Sequence, residues 1–66
     1  MNIILNGEPT TVADGSKVAD LLHALELADK RVAVEINGDI VPRSLHGTHK
    51  LSEDDRIEVV VAVGGG

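Results

Sequence analysis

Three glycines, Gly64, Gly65 and Gly66, follow the last apolar run of this 66-residue sequence, and no later element gives them a turn to make. At about 3.3–3.6 Å per extended residue, such a run carries the carboxylate of Gly66 roughly 10 Å beyond the strand before it. Without side chains, the run can thread a narrow channel in another protein that bulkier residues would block. The terminal carboxylate is ionised at neutral pH and is a poor electrophile as it stands. Attack on the α-phosphate of ATP in a partner's site would convert it to an acyl-adenylate. A sulfur nucleophile could then displace AMP and leave a C-terminal thiocarboxylate. The sequence has no cysteine, so delivered sulfur cannot be held as a side-chain persulfide, and the C-terminus is the obvious carrier group. The plain alternative is a frayed end.

Other chemistry-bearing residues point nowhere comparable. His23, His46 and His49 are the only side chains with an ordinary titration near neutrality. His46 and His49 lie three apart, but the expectation is two solvated loop residues rather than a metal site. Glu53-Asp54-Asp55 lacks the regularly spaced oxygen ligands of a calcium loop. It reads as a solvated turn in which Asp54 or Asp55 takes the left-handed conformation. Gly7, Gly15 and Gly38 each follow Asn or Asp, which marks turns and not a phosphate loop. A chain this small has little room for a concave site with convergent groups. No catalytic residue and no bound cofactor are expected.

Composition narrows the partners. Eleven acidic against six basic side chains give a net charge of −5, with no Phe, Tyr or Trp. Repulsion from phosphates and the lack of a stacking platform argue against nucleic acid. The same balance favours a basic partner surface. No apolar run is long enough for a signal peptide or a membrane span, so a cytoplasmic location is the expectation. Without disulfide or cysteine-ligated metal, packing alone must hold the fold.

The elements that must position the tail follow from periodicity. Met1, Ile3 and Leu5 alternate in a first strand ending at Asn6-Gly7, a hairpin turn of type I′. A second strand is expected from Glu8 to Ala13, at a sheet edge because Pro9 has no N–H for a ladder. Ser16 is the expected N-cap of a three-turn helix carrying Val18, Leu21, Leu22 and Leu25 on one face and ending near Leu27. Val32, Val34 and Ile36 form a third strand, Asn37-Gly38 a second turn, and Ile40–Arg43 a short extended segment. Ser44–Thr48 is expected to be irregular and His49–Leu51 a brief edge strand. Ile57 to Val63, broken only by Glu58, reads as a central strand covered over most of its length. The layout is α+β: a β-grasp, ubiquitin-like mixed sheet with one helix on one face, spanning residues 1–63, and a flexible glycine tail at 64–66.

Ile3-Ile4-Leu5-Asn6-Gly7, Val18-Ala19-Asp20-Leu21-Leu22, Val32-Ala33-Val34-Glu35-Ile36-Asn37, Ile40-Val41-Pro42-Arg43 and Arg56-Ile57-Glu58-Val59-Val60, leading into Val63-Gly64-Gly65-Gly66, follow the order and spacing of a known family. The sequence resembles the ThiS family of sulfur carriers over essentially its whole length. The resemblance implies that Gly66 is adenylated by a ThiF-like adenylyltransferase, which consumes ATP, and thiolated with sulfur from a cysteine desulfurase. The carrier then donates its sulfur to a ThiG-like thiazole synthase in thiamine biosynthesis. It implies that Gly65 enters both partners' sites and that Gly64 is a spacer. Two departures stand out: Leu45-His46 replaces a segment that is often aromatic, and Asp54 stands where such chains often carry Gly.

Strand alternation sets Val60 and Ala62 apart from Ile57, Val59, Val61 and Val63, so one of these sets lies opposite the helix. That set is the expected docking surface, with Arg43 at its rim, although loops covering it would give the same pattern. Two other readings stay open: a MoaD-like carrier for molybdopterin synthesis, and a non-catalytic β-grasp binding module.

Overall fold

Asn6 and Asn37 adopt φ values of 48° and 53°, each followed by a glycine, Gly7 at 84° and Gly38 at 89°. Two consecutive left-handed residues are what a type I′ turn requires, and Asn-Gly supplies them at least steric cost. These turns close two hairpins, β1 (Asn2–Leu5) with β2 (Glu8–Thr11) and β3 (Val32–Ile36) with β4 (Asp39–Ile40). The computed structural model describes residues 1–62. The expected domain end at Val63 and the tail Gly64–Gly66 lie outside it.

The last strand, β5 (Arg56–Val61), joins the hairpins into one five-stranded sheet of order β2-β1-β5-β3-β4. It runs parallel to β1 and antiparallel to β3, with Ile57 opposite both Leu5 and Ile36. The one α-helix among the described residues, α1 (Val18–Ala24), lays Val18, Leu21 and Leu22 onto one face of the sheet. These side chains form the core with Ile3, Val34, Ile36, Val41, Leu51, Ile57 and Val59. This is the expected α+β, β-grasp layout. No helix among the described residues is long and apolar enough to cross a membrane.

Several boundaries differ from the sequence-based expectation. The helix runs only to Ala24, because Glu26 turns left-handed at φ 60°. Its N–H donates to the His23 carbonyl at 3.0 Å and that of Leu27 to the Leu22 carbonyl at 2.8 Å, the paired bonds of a Schellman motif. Leu25 therefore caps the helix and is exposed, and Leu27 packs against the core from the loop. At the other end Ser16 is not the cap. Its Oγ donates to the Ala13 carbonyl at 2.6 Å, while Lys17 holds the cap position and its N–H donates to Asp20 Oδ2 at 2.8 Å. The carbonyls of His49 and His46 accept the N–H groups of Val18 and Ala19, so the helix start is satisfied by distant backbone.

That docking absorbs the segment expected to be an edge strand. Residues 49–51 contribute a lone bridge, Lys17 to Lys50, and the second sheet edge is the two-residue β4. β2 is an edge as expected but stops at Thr11. Arg43–Leu45 forms a short 3₁₀ turn, so Arg43 is not extended and the 44–48 stretch is not wholly irregular. The turn before β5 has Asp54 left-handed at φ 67° as expected, but it is not solvated throughout, because Asp55 is buried.

Candidate functional site

The strand that leads toward the glycines is β5, which is paired on both sides. It pairs with β3 at five positions, from Val32 opposite Val61 to Ile36 opposite Ile57. The Ala62 N–H still donates to the Arg31 carbonyl at 2.8 Å. Strand pairing therefore persists to the last described residue before the segment that leads into the glycines.

On its other side β5 outruns β1, and a side chain fills the gap. Where β1 ends, Asn6 accepts the Val59 N–H on Oδ1 at 2.9 Å, and its Nδ2 donates to the Val59 carbonyl at 3.4 Å. One amide thus imitates the next rung of the ladder. Asn37 does the equivalent work at the strand's beginning: its Oδ1 accepts the Arg56 N–H at 3.0 Å and its Nδ2 donates to Asp55 Oδ1 at 3.1 Å. The buried Asp55 also accepts the Ser52 N–H at 2.8 Å. Both asparagines thus make the turn and clamp β5.

Asn6→Gly keeps the permitted backbone but removes the rung, leaving the Val59 N–H and carbonyl without that partner. Stability should fall by about 1–2 kcal/mol. Asn6→Ala should lose about 1 kcal/mol more than Asn6→Gly, because alanine keeps a Cβ in the left-handed region without the amide that makes asparagine tolerant there. Urea melts of the two variants separate these contributions.

The apolar run at the end of the chain is not covered as expected. Within β5 only Ile57 and Val59 are buried, whereas Val60 is 59% exposed and Val61 42%. The seven-residue helix covers part of one face, and among the described residues no element covers the other. Val60 and Ala62 are exposed, with the exposed Ala33 directly opposite Val60 on β3. Alternation places this row on the face away from the helix. Arg43 is not brought together with it. It lines a hollow beside α1 with Ala19, Leu22, His23, Ala28 and His46.

His46 is buried, contrary to the expectation of a solvated loop residue, and its Nε2 lies 3.0 Å from the Val41 carbonyl. A carbonyl can only accept, so Nε2 carries the proton and donates. The side chain is a core element with its polar atom satisfied. Among the described residues no three His, Cys, Asp or Glu side chains are grouped to hold a metal ion. Gly64, Gly65 and Gly66 lie outside the described residues.

Comparison with known proteins agrees with this architecture. The family model of the ThiS family matches residues 3–66. The whole chain is 32% identical to the full length of the sulfur carrier protein ThiS of Escherichia coli K12. It is also 47% identical over 66 residues to a thiazole synthase of Magnetococcus marinus, of which it spans only a fifth, 20% of the length. The crystal structure of a thiamine biosynthesis protein (ThiS) from Geobacter metallireducens superimposes with a TM-score of 0.84 at 36% identity, each chain covered completely. With the sheet order, the single helix and a family match running to the terminal glycine, this chain belongs to the ThiS family.

Proposed function

We propose that this chain is a sulfur carrier for thiamine biosynthesis and acts as a protein co-substrate rather than an enzyme. A ThiF-like adenylyltransferase binds ATP, and an oxygen of the Gly66 carboxylate attacks the α-phosphorus. Pyrophosphate leaves, and an acyl-adenylate remains. Hydrosulfide, released by a thiol reductant from the persulfide that a cysteine desulfurase forms, then adds at the acyl carbon, and AMP departs. The resulting thiocarboxylate donates sulfur to a ThiG-like thiazole synthase. The chain binds no cofactor of its own, and the process is cytoplasmic.

The observation that carries this reading is a glycine run that begins two residues beyond a strand clamped on both sides by β1, β3 and Asn6. Rigidity before the run and absence of side chains within it are what a tail needs to enter a buried site reproducibly. Family membership supports the sulfur chemistry, and the thiazole synthase with a stretch matching this whole chain supports the downstream partner. Gly64 and Gly65 serve as the thread. Val60 and Ala62 form the docking row beside it, while Arg43, on the helix side, meets only a partner that wraps around the β4 edge. Incubating the chain with the adenylyltransferase, ATP and a sulfide source should convert Gly66 to the thiocarboxylate, seen by fragment mass spectrometry. An unmodified terminus despite active enzyme refutes the proposal.

A further inference from the structure

The open face of the sheet holds an arrangement that folding alone does not favour. Glu35 on β3 lies directly opposite Glu58 on β5, and alternation sends both side chains to the face away from the helix. Like charges at directly opposed positions destabilise a sheet. Among the described residues, neither carboxylate has a cation within 4.0 Å, the single such ion pair being the N-terminal amine with Asp14. Arg56 shares their shallow hollow with Asn37 and Gly38 yet does not close on either one. Two register positions along, on the same face, the exposed Ala33 and Val60 form the adjoining apolar pair, and Ile40, opposite Glu35 on β4, is 71% exposed. An acidic pair flanked on one side by exposed apolar side chains and on the other by Arg56 is thus set on the same face as Val60 and Ala62.

We infer that Glu35 and Glu58 form an acidic reader on the docking face, which receives a lysine or arginine from the adenylating enzyme while Val60, Ala33 and Ile40 pack against its apolar surface. The inference rests on the carrier reading and adds to it the partner feature that recognises this chain. Charge complementarity selects the occupant: two unpaired carboxylates in a chain of net charge −5 match a basic side chain within an apolar patch. Chain length bounds where that side chain sits on an enzyme that also takes the tail. Eight residues separate Glu58 from Gly66, so the enzyme's cation lies within roughly 28 Å of its bound nucleotide. Docking and threading can therefore occur on one enzyme surface.

The test is calorimetric binding of the full chain and of the Glu35→Gln/Glu58→Gln variant to the adenylating enzyme at low and moderate salt. Two exposed charge contacts should make the variant bind roughly three- to tenfold more weakly at low salt, with a flatter dependence on ionic strength. Its melting temperature should rise by about 2–4 °C, because the repulsion within the sheet is relieved. A purely structural role predicts no change in the salt dependence. Equal affinity and equal salt slope overturn the reader while leaving the carrier intact, and so does a loss confined to thiazole synthase. If the unaltered chain fails to bind the adenylating enzyme at all, both readings fall.

Discussion

Deletion of Gly65 and Gly66 should abolish thiocarboxylate formation completely while leaving thermal unfolding within about 2 °C of the parent chain, since a terminal glycine pair adds little to stability. The reason lies in the division of labour along β5. Among the described residues the strand is fixed by the five pairs with β3, the Asn6 amide at Val59 and the Ala62 bond to Arg31. None of these contacts involves the last two residues. Shortening by two positions withdraws the carboxylate by about 7 Å, far more than the near-contact distance that acyl transfer tolerates. Parallel measurements of thiocarboxylate yield and circular-dichroism melting check the outcome. Residual thiolation at a tenth of the parent rate, or a large fall in melting temperature, would count against the separation of fold from tail.

Ile57→Ala should act in the opposite way, on the fold first and on the tail only as a consequence. Ile57 is 1% exposed and lies between Leu5 and Ile36 on the central strand, facing the helix residues Val18, Leu21 and Leu22 across the core. Removing three buried carbons from a site flanked on both sides by paired strands leaves a cavity that backbone cannot collapse to fill. The cost should be about 3–4 kcal/mol. For a domain of this size total stability is only about 3–10 kcal/mol, so the melting temperature should drop by more than about 12 °C. Val60→Ala, three residues along the same strand but 59% exposed, should change stability by less than about 0.5 kcal/mol. Urea denaturation of the pair distinguishes a strand held by its inner face from one held on both.

That contrast marks where the sequence was a sufficient guide. The hairpin turns were legible because Asn-Gly is a local signal whose geometry needs nothing from the rest of the chain, and both asparagines are indeed left-handed. Alternation in residues 1–5 and 32–36 located the first and third strands, and Pro9 correctly placed its strand at an edge. Local pattern failed where a remote partner decided the outcome. Ser16 looked like a cap, but carbonyls some thirty residues away satisfy the helix start. Glu26 gave no stop signal, because helices that close through a left-handed residue normally use Gly there. His46 looked solvated until the Val41 carbonyl placed a partner beside it.

The apolar run of β5 was read as covered because hydrophobicity was assigned to burial. Half of the strand instead faces outward, and Val60 there belongs to the set that alternation separates from Ile57 and Val59. The opposition of Glu35 and Glu58 depends on the strand register, which periodicity alone does not specify. The clamps made by Asn6 and Asn37 were equally invisible, since each residue's turn role already accounted for its presence. The candidate reactive end rests on the sequence alone, since Gly64–Gly66 lie outside the described residues.

The most direct measurement is the intact and fragment mass of the chain purified from its native cell during thiamine starvation. A thiocarboxylate replaces the terminal hydroxyl by SH and adds about 16 Da, confined to the fragment that contains Gly66 and lost on mild hydrolysis. An unshifted C-terminal fragment, in cells actively making thiazole, would contradict the carrier role.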